Sequence, residues 1–405
     1  MIDPVAPERR LRIGVVGDLD GVHTQSWLRY FVRRGHDVHG VSYYAPARPP
    51  EGVRVHALRT ASGGESFRGR TRPGASVRLA QRLPIGLQRL ANLVRYRRAG
   101  LRQVVEHIGP EVLHAHFLLE HGLYATAAAF RPYVVSAWGS DVLVDAARST
   151  LNRALARFVL RRATLATANN RYMLREMVLK LGIERAFAQH VVLGVTREFL
   201  DGARPSVNAQ ARDATRAPTV ISTRSLDTPL YNIDVIVRAM ARVRERLPAA
   251  RLVVVGEGRL QPQLESLAGR LALGDGVRFA GYLSQDELRG ALVDAEAFVS
   301  VPSSDATSVA LLQAMGVGCF PIVSDLPSQE ELVQQGVRGL RVPVRDEAAL
   351  AEAIVRALED GELRRAAVER NRVFVEEYGV LETNMARMEA WYYRLAGRAG
   401  EVNPP

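Results

Sequence analysis

Short apolar runs alternate with amphipathic stretches twice along this chain, and a polar segment without periodicity separates the two series. A parallel strand covered on both faces reads as a continuous apolar run. Each such strand needs a long crossover, usually a helix, before the next. The alternation therefore restricts the chain to doubly wound α/β sheets, one for each series. In the first series, residues 11–16, 38–43, 112–116, 133–137 and 165–168 read as strands. A glycine turn, Gly17 to Gly21, leads to a helix with Trp27, Leu28, Phe31 and Val32 on its apolar face, and a basic helix runs over about residues 149–162. In the second series, residues 219–223, 251–255, 277–280, 297–301 and 320–324 read as strands, with helices over 234–247, 261–273 and 285–293.

A chain of 405 residues exceeds the roughly 250–300 residues that one core supports, so two domains are expected. The spacing divides them into residues 1–200, a linker over 201–217, a second domain over 218–384, and a closing helix and tail over 385–405. The expected fold class is α/β, two Rossmann-like domains facing across a cleft. Ligands of such sheets bind beyond the C-terminal strand ends, which makes the cleft the expected site.

Composition narrows the class. An apolar fraction of 47% and a charged fraction of 24% suit a folded globular protein. The single cysteine, Cys319, allows no disulfide framework, which fits a reducing cytoplasm. No apolar run reaches the roughly 18–20 residues that span a bilayer, and the polar first ten residues have no secretory apolar core. The net charge is +11, and residues 66–102 carry arginines with no acid among them. Leu79, Leu83, Ile85, Leu87, Leu90, Leu93 and Val94 are interleaved with those arginines. Such a stretch suits an anionic membrane surface, so a peripheral place at the inner face is expected. A solvated face in an arginine-rich chain is the plainer alternative, since Lys180 is the sole lysine. No recognition motif accompanies the charge, so nucleic acid is not expected.

One stretch carries more chemistry than the rest. Residues 297–325 read as strand, polar turn, helix and strand, and the turn holds Ser303, Ser304, Asp305, Thr307 and Ser308. Free N–H groups and the partial positive charge at a helix start can bind phosphate or a hydroxyl. Around it stand Arg224 at a strand end, Gly256-Glu257-Gly258, Phe279-Ala-Gly-Tyr282, Leu312-Gln-Ala-Met-Gly, Pro321-Ile-Val-Ser-Asp and Gly336-Val-Arg-Gly-Leu. In this order and spacing the second half resembles the donor domain of the GT-B glycosyltransferases of family 4. The first half resembles that family more loosely, through Gly35-His-Asp-Val, His114-Ala-His116 and Ala137-Trp-Gly-Ser-Asp141. Residues 385–395 resemble the family's helix that returns to the first domain.

The resemblance implies a retaining transfer of sugar from a nucleotide diphosphate sugar, UDP- or GDP-linked, to a glycan, lipid-linked or small-molecule acceptor. It implies no cofactor and no metal. Arg224 matches the diphosphate-binding arginine, and Asp305 the acidic residue that reaches the donor sugar. Gly256, Glu257, Tyr282, Ser303, Thr307, Ser308 and Val309 fall on the donor side, and Gly21, His116, Trp138 and Asp141 on the acceptor side. The chain departs from the pattern in three places. Gln313 replaces the second acidic residue and Trp138 a histidine, and no lysine follows Arg224, where Tyr231 and Asn232 are the polar side chains available to a phosphate. A Ser-Ser-Asp run is also an ordinary turn and helix cap. A non-catalytic GT-B binding protein and, with less support, a nucleotide-sugar epimerase are the alternatives. His114 and His116 have no cysteine or acidic ligands nearby, so a metal centre is not expected. No phosphate-binding Gly-x-x-x-x-Gly-Lys loop and no Gly-x-Ser-x-Gly elbow occur.

Overall fold

A computed structural model describes residues 9–59, 83–202 and 216–397. The chain forms two compact units, one made of Met1–Leu193 with Thr383–Pro405, the other of Gly194–Glu382. Each is built on a parallel sheet, so both units are Rossmann-like.

The first sheet contains β1 (Arg12–Val16), β2 (Asp37–Tyr44), β3 (Arg54–Arg59), β4 (Val112–His116), β5 (Tyr133–Ala137), β6 (Leu165–Ala168) and β7 (Ala188–His190). Their order is β3-β2-β1-β4-β5-β6-β7, so the strand order reverses between β1 and β4. The helix Val22–Arg33 buries Trp27, Leu28 and Phe31, the face its spacing predicts. Burying each such side chain contributes about 1.5–3 kcal/mol.

The helix Leu381–Leu395 begins four residues before the expected start, and its C-terminal part joins this unit. Glu389 is its anchor. It accepts from Tyr30 Oη at 3.0 Å and Arg34 Nε at 3.1 Å, and lies 2.7 Å from His36 Nε2. His36 Nδ1 accepts from the Leu11 N–H, so the ring proton sits on Nε2 and is donated to Glu389. Farther along the helix, the Tyr392 hydroxyl pairs with His114 Nδ1. His114 Nε2 continues to Ser136 Oγ at 2.8 Å, and Ser136 Oγ to Thr167 Oγ1 at 2.6 Å. A buried polar chain therefore ties β4, β5 and β6 to the returning helix.

The second sheet contains β8 (Thr219–Thr223), β9 (Arg251–Val255), β10 (Val277–Gly281), β11 (Ala297–Ser300), β12 (Phe320–Ser324) and β13 (Leu340–Val342), in the order β10-β9-β8-β11-β12-β13. Here the reversal lies between β8 and β11. Val220, Leu252, Val254, Val299, Phe320 and Ile322 fill the core with Ile236 and Met240 of the helix Ile233–Arg246 and Ile354 of the helix Glu347–Glu359. Ser284 and Glu287 cap the helix Gln285–Asp294 reciprocally. Most of the polar segment expected as a linker lies outside the described residues; its start belongs to a short helix, Arg197–Asp201.

Candidate active site

The order reversal of the second sheet sets the geometry. There the crossovers before and after leave on opposite sides, so a crevice opens at the C-terminal strand ends. Arg224 directly follows β8, and Ser300 ends β11 on the other side of the reversal. Arg224 Nε donates to Ser300 Oγ at 2.9 Å, and Arg224 Nη2 pairs with the Asp305 carboxylate. The guanidinium also sits over the Tyr231 ring, 5.0 Å from its centroid. Three contacts of different kinds thus fix one partly buried cation. Tyr231 supplies its contact through the ring face, a favourable partner for arginine.

The Asp305 turn is held from beneath. Asp305 Oδ1 accepts from the Ala306 N–H at 2.9 Å, Ser328 Oγ donates to the Asp305 carbonyl at 2.6 Å, and Gln329 Nε2 to the Ala306 carbonyl at 2.8 Å. Ser308 then caps the helix Val309–Val317 by accepting from the Leu311 N–H. Thr307 and Ser308 are buried in this turn, and Val309 opens the helix.

Asn232 differs from expectation. It is 1% exposed, and its amide donates to the Val301 carbonyl at 2.8 Å and Ser303 Oγ at 3.0 Å. Both amide protons are spent on the strand end and turn, so Asn232 positions the loop instead of facing a phosphate. Its φ of 51° is the left-handed conformation that asparagine tolerates.

The glycine turn adjoins Arg224. A Cβ on Gly256 would collide with the Arg224 carbonyl, and one on Gly258 with Leu226 and Asp227. Only glycine lets the two strand-end loops pass this closely. Glu257 Oε1 lies 3.4 Å from the Tyr282 N–H, and Tyr282 itself is 68% exposed. Gln313 is buried on the Val309–Val317 helix and donates to Gln285 Oε1 at 3.2 Å, leaving its own carbonyl oxygen for another donor.

The residues expected on the acceptor side lie in the other unit, at its own order reversal. His116 ends β4, and Gly21 precedes the helix Val22–Arg33, its N–H donating to the Asp18 carbonyl. Burial, with His114, His121 and His23 nearby, holds the His116 imidazole pKa well below its ordinary value. Trp138 packs against His116, ring centroids 4.7 Å apart. Asp141 is a correction. It is fully buried and accepts from the N–H groups of Leu118, Trp138, Gly139 and Val142. Burial pushes its carboxyl pKa up against the pull of those donors. Its lone pairs hold the Trp138 loop to the chain after β4, so it is a positioning residue and not an acceptor contact.

Sequence reasoning did not find Ser300, Gln285, Ser328 or Gln329. Ser300 had a signal, a hydroxyl ending an apolar strand; the others are brought in by tertiary packing alone. Among the described residues, no group of three or more His, Cys, Asp or Glu is placed to hold a metal ion.

Both halves of the chain match known protein families. Residues 21–196 match the family described as glycosyl transferase 4-like domain, and residues 208–374 the family described as glycosyl transferases group 1. A phosphatidyl-myo-inositol mannosyltransferase of Mycobacterium tuberculosis is 29% identical over 192 residues, 45% of this chain and 49% of that protein. The match thus spans about half the length of this curated relative. Among solved structures, sucrose-phosphate synthase of Thermosynechococcus elongatus superposes with a TM-score of 0.75 at 19% identity, covering 96% of this chain and 100% of that one. Anabaena HepE in complex with UDP gives 0.70 at 16% identity, covering 95% and 100%. With one family model on each half and a shared fold along almost its whole length, the chain belongs to the GT-B glycosyltransferases of family 4.

Proposed function

We propose that this protein transfers a hexose from a nucleoside diphosphate sugar, UDP- or GDP-linked, to a hydroxyl of an acceptor, with retention at the anomeric carbon. The observation that carries the reading is Arg224, fixed at the order reversal of the second sheet beside the start of the Val309–Val317 helix. As the glycosidic bond breaks, the leaving diphosphate gains charge. A preorganised guanidinium and helix N–H groups stabilise that charge without reorganising. On this reading no metal is needed. Asp305 reaches the donor sugar, Gln313 the ribose, and the first unit takes the acceptor. The UDP named with the Anabaena structure supports a uridine donor, and the relative's mannosyl transfer supports a hexose.

A second reading, a GT-B protein that binds without turning over, has one observation in its favour. Asp305 already neutralises Arg224, and no lysine adds charge beside it. A thermal-shift screen of nucleotide sugars followed by product analysis separates the two. A donor at 100 times its Kd stabilises the protein by about 2.7 kcal/mol. Stabilisation with product supports transfer. Stabilisation without product across a broad acceptor screen supports the binding protein.

A peripheral place at an anionic membrane face is part of the proposal. Leu83, Leu87 and Val94 are exposed on or beside the helix Ile85–Arg98, with Arg97 and Arg98 at its end. Arg89 is not available to lipid, being 3% exposed and paired with Asp145 at 2.7 Å. Residues 66–82 of the basic stretch lie outside the described residues. No helix among the described residues is long and apolar enough to cross a membrane.

A further inference from the structure

The second sheet carries a cationic groove at the end away from Arg224. The loop over residues 334–339 leads into β13, so it lies at the N-terminal ends of the parallel strands, whereas Arg224 and Asp305 follow the C-terminal ends. Arg338, in that loop, and Arg370, on the helix Gly361–Phe374, line a shallow groove of about 190 Å³ with Val337, Val373, Phe374 and Glu377. The loop is held in place from inside. Buried Asn371 donates from Nδ2 to the Arg338 carbonyl at 2.9 Å, and the Arg338 N–H donates to the Gln334 carbonyl at 3.0 Å. The Arg338 guanidinium is half-buried over the Phe374 ring, 4.2 Å from its centroid, and Nη2 donates to the Glu331 carbonyl at 2.6 Å. Its Nε is buried without a partner. Among the described residues, no carboxylate pairs with Arg338 or with Arg370, whose Nη1 donates to the Ala366 carbonyl at 3.1 Å. Burial lowers the Arg338 pKa, and no acid pulls it back up. The group is still charged, since arginine does not lose its proton in proteins. A desolvated charge is costly without a counter-charge, and folds normally supply one. This chain does so elsewhere, pairing Arg34 with Glu389, Arg89 with Asp145, Arg224 with Asp305 and Arg341 with Asp325. Arg338 is not matched in this way.

We propose that Arg338 and Arg370 form a binding site for a single phosphate group, free or carried by a small metabolite, separate from the donor crevice and independent of the transferase reading. Guanidinium N–H forks match phosphate oxygens in both charge and geometry. Two such forks on different elements suit the several edges of a tetrahedral oxyanion better than the single edge of a carboxylate. Val337, Val373 and Phe374 give the groove an apolar wall for the first carbons of a phosphomonoester. The volume is below the roughly 300 Å³ at which pockets for drug-sized ligands begin, so the groove takes a phosphate and a few carbons and not a nucleotide. Glu377 opposes the anion from the same lining. Two arginines against one glutamate leave one net positive charge, which suits a single phosphate and disfavours a polyphosphate.

Equilibrium dialysis with sodium phosphate, phenyl phosphate and sodium benzoate tests the site, with sodium chloride holding the ionic strength constant. The full chain carries Arg224→Ala throughout, so that the donor crevice does not supply the signal. The expected result is saturable binding of at least one of the two phosphates. Arg338→Gln should weaken it about 10- to 150-fold, the loss of a charge-assisted hydrogen bond. Arg338→Lys keeps the charge without the fork and should recover only part of the affinity. Arg370→Gln should weaken binding less, because Arg370 is exposed, and Glu377→Gln should tighten it. These two exposed positions keep the test decisive if Arg338→Gln does not fold. Tighter binding of phenyl phosphate than of inorganic phosphate supports the site with an ester as occupant, and the reverse order supports it with the free ion. No saturable binding of either phosphate, equal affinity in all the folded variants, or tighter binding of benzoate than of phenyl phosphate overturns it. Because Arg224 is absent from these samples, the outcome does not depend on whether nucleotide sugars bind.

Discussion

Arg224 and Asp305 form the pair on which the proposed donor chemistry turns, and their closeness gives two effects of opposite sign. The carboxylate competes with a diphosphate for the guanidinium, yet it is also the acidic group nearest the expected sugar. Asp305→Asn should therefore bind the free nucleoside diphosphate more tightly by calorimetry. It should transfer sugar more slowly, by about 10- to 150-fold, the loss of a charge-assisted hydrogen bond. A fully active Asp305→Asn removes the carboxylate from the reaction. Gln313→Glu should be tolerated, because Gln285 can turn its amide to donate to the new carboxylate, and it should tighten nucleotide binding. A folded variant with weaker binding would place Gln313 outside the ribose site. Part of this site was readable in the sequence. Arg224 ends a strand and Asp305 lies in a polar turn before a helix, so both fall where ligands bind. Asn232 and Asp141 were misread because a polar residue in a loop looks the same whether it faces solvent or is consumed by backbone partners. Only tertiary contacts reveal the difference.

The elements show the same division. Strands β1, β4, β5 and β6 stand out as apolar runs because neighbours on both sides bury them. Strands β3, β7 and β13 escaped notice. Each lies at or near a sheet margin; β3 alternates charged and apolar residues, and the other two are three residues long. Length and apolarity, the two signals a strand gives, are both weak at an edge. The returning helix was visible through its aromatic residues, but its anchor was not, because Glu389 meets Tyr30, Arg34 and His36 across more than 350 residues of chain. Glu389→Ala removes the carboxylate that pairs with Arg34, whose side chain is 17% exposed. Breaking such a pair costs about 3–5 kcal/mol. The variant should lose stability on this scale in denaturant titration and expose residues 385–395 to protease. An unchanged midpoint and cleavage pattern would show that the helix is held by its apolar contacts alone.

At the scale of the whole molecule, buried imidazoles set how stability depends on pH. Burial lowers the pKa of His114 to about 3, and those of His121 and His190 to about 4, with arginines adding to the effect at His190. The unfolded chain takes up these protons near pH 6.5, whereas the folded chain refuses them until far lower. The contribution to stability is thus complete above about pH 6.5 and is lost as pH falls toward about 4. The melting temperature should fall steadily across this window, and a flat profile would mean these rings are protonated in the fold. The central claim, that the second unit binds a nucleoside diphosphate sugar through Arg224, has a direct measurement. Wild-type protein and Arg224→Ala are titrated calorimetrically with UDP-glucose and GDP-mannose, with circular dichroism to show that both fold. The account predicts saturable binding of at least one donor by the wild type, weakened by about 10- to 150-fold in the variant, as befits one charged hydrogen-bonding partner. Equal affinity in the two proteins, or no binding of either donor to the wild type, contradicts it.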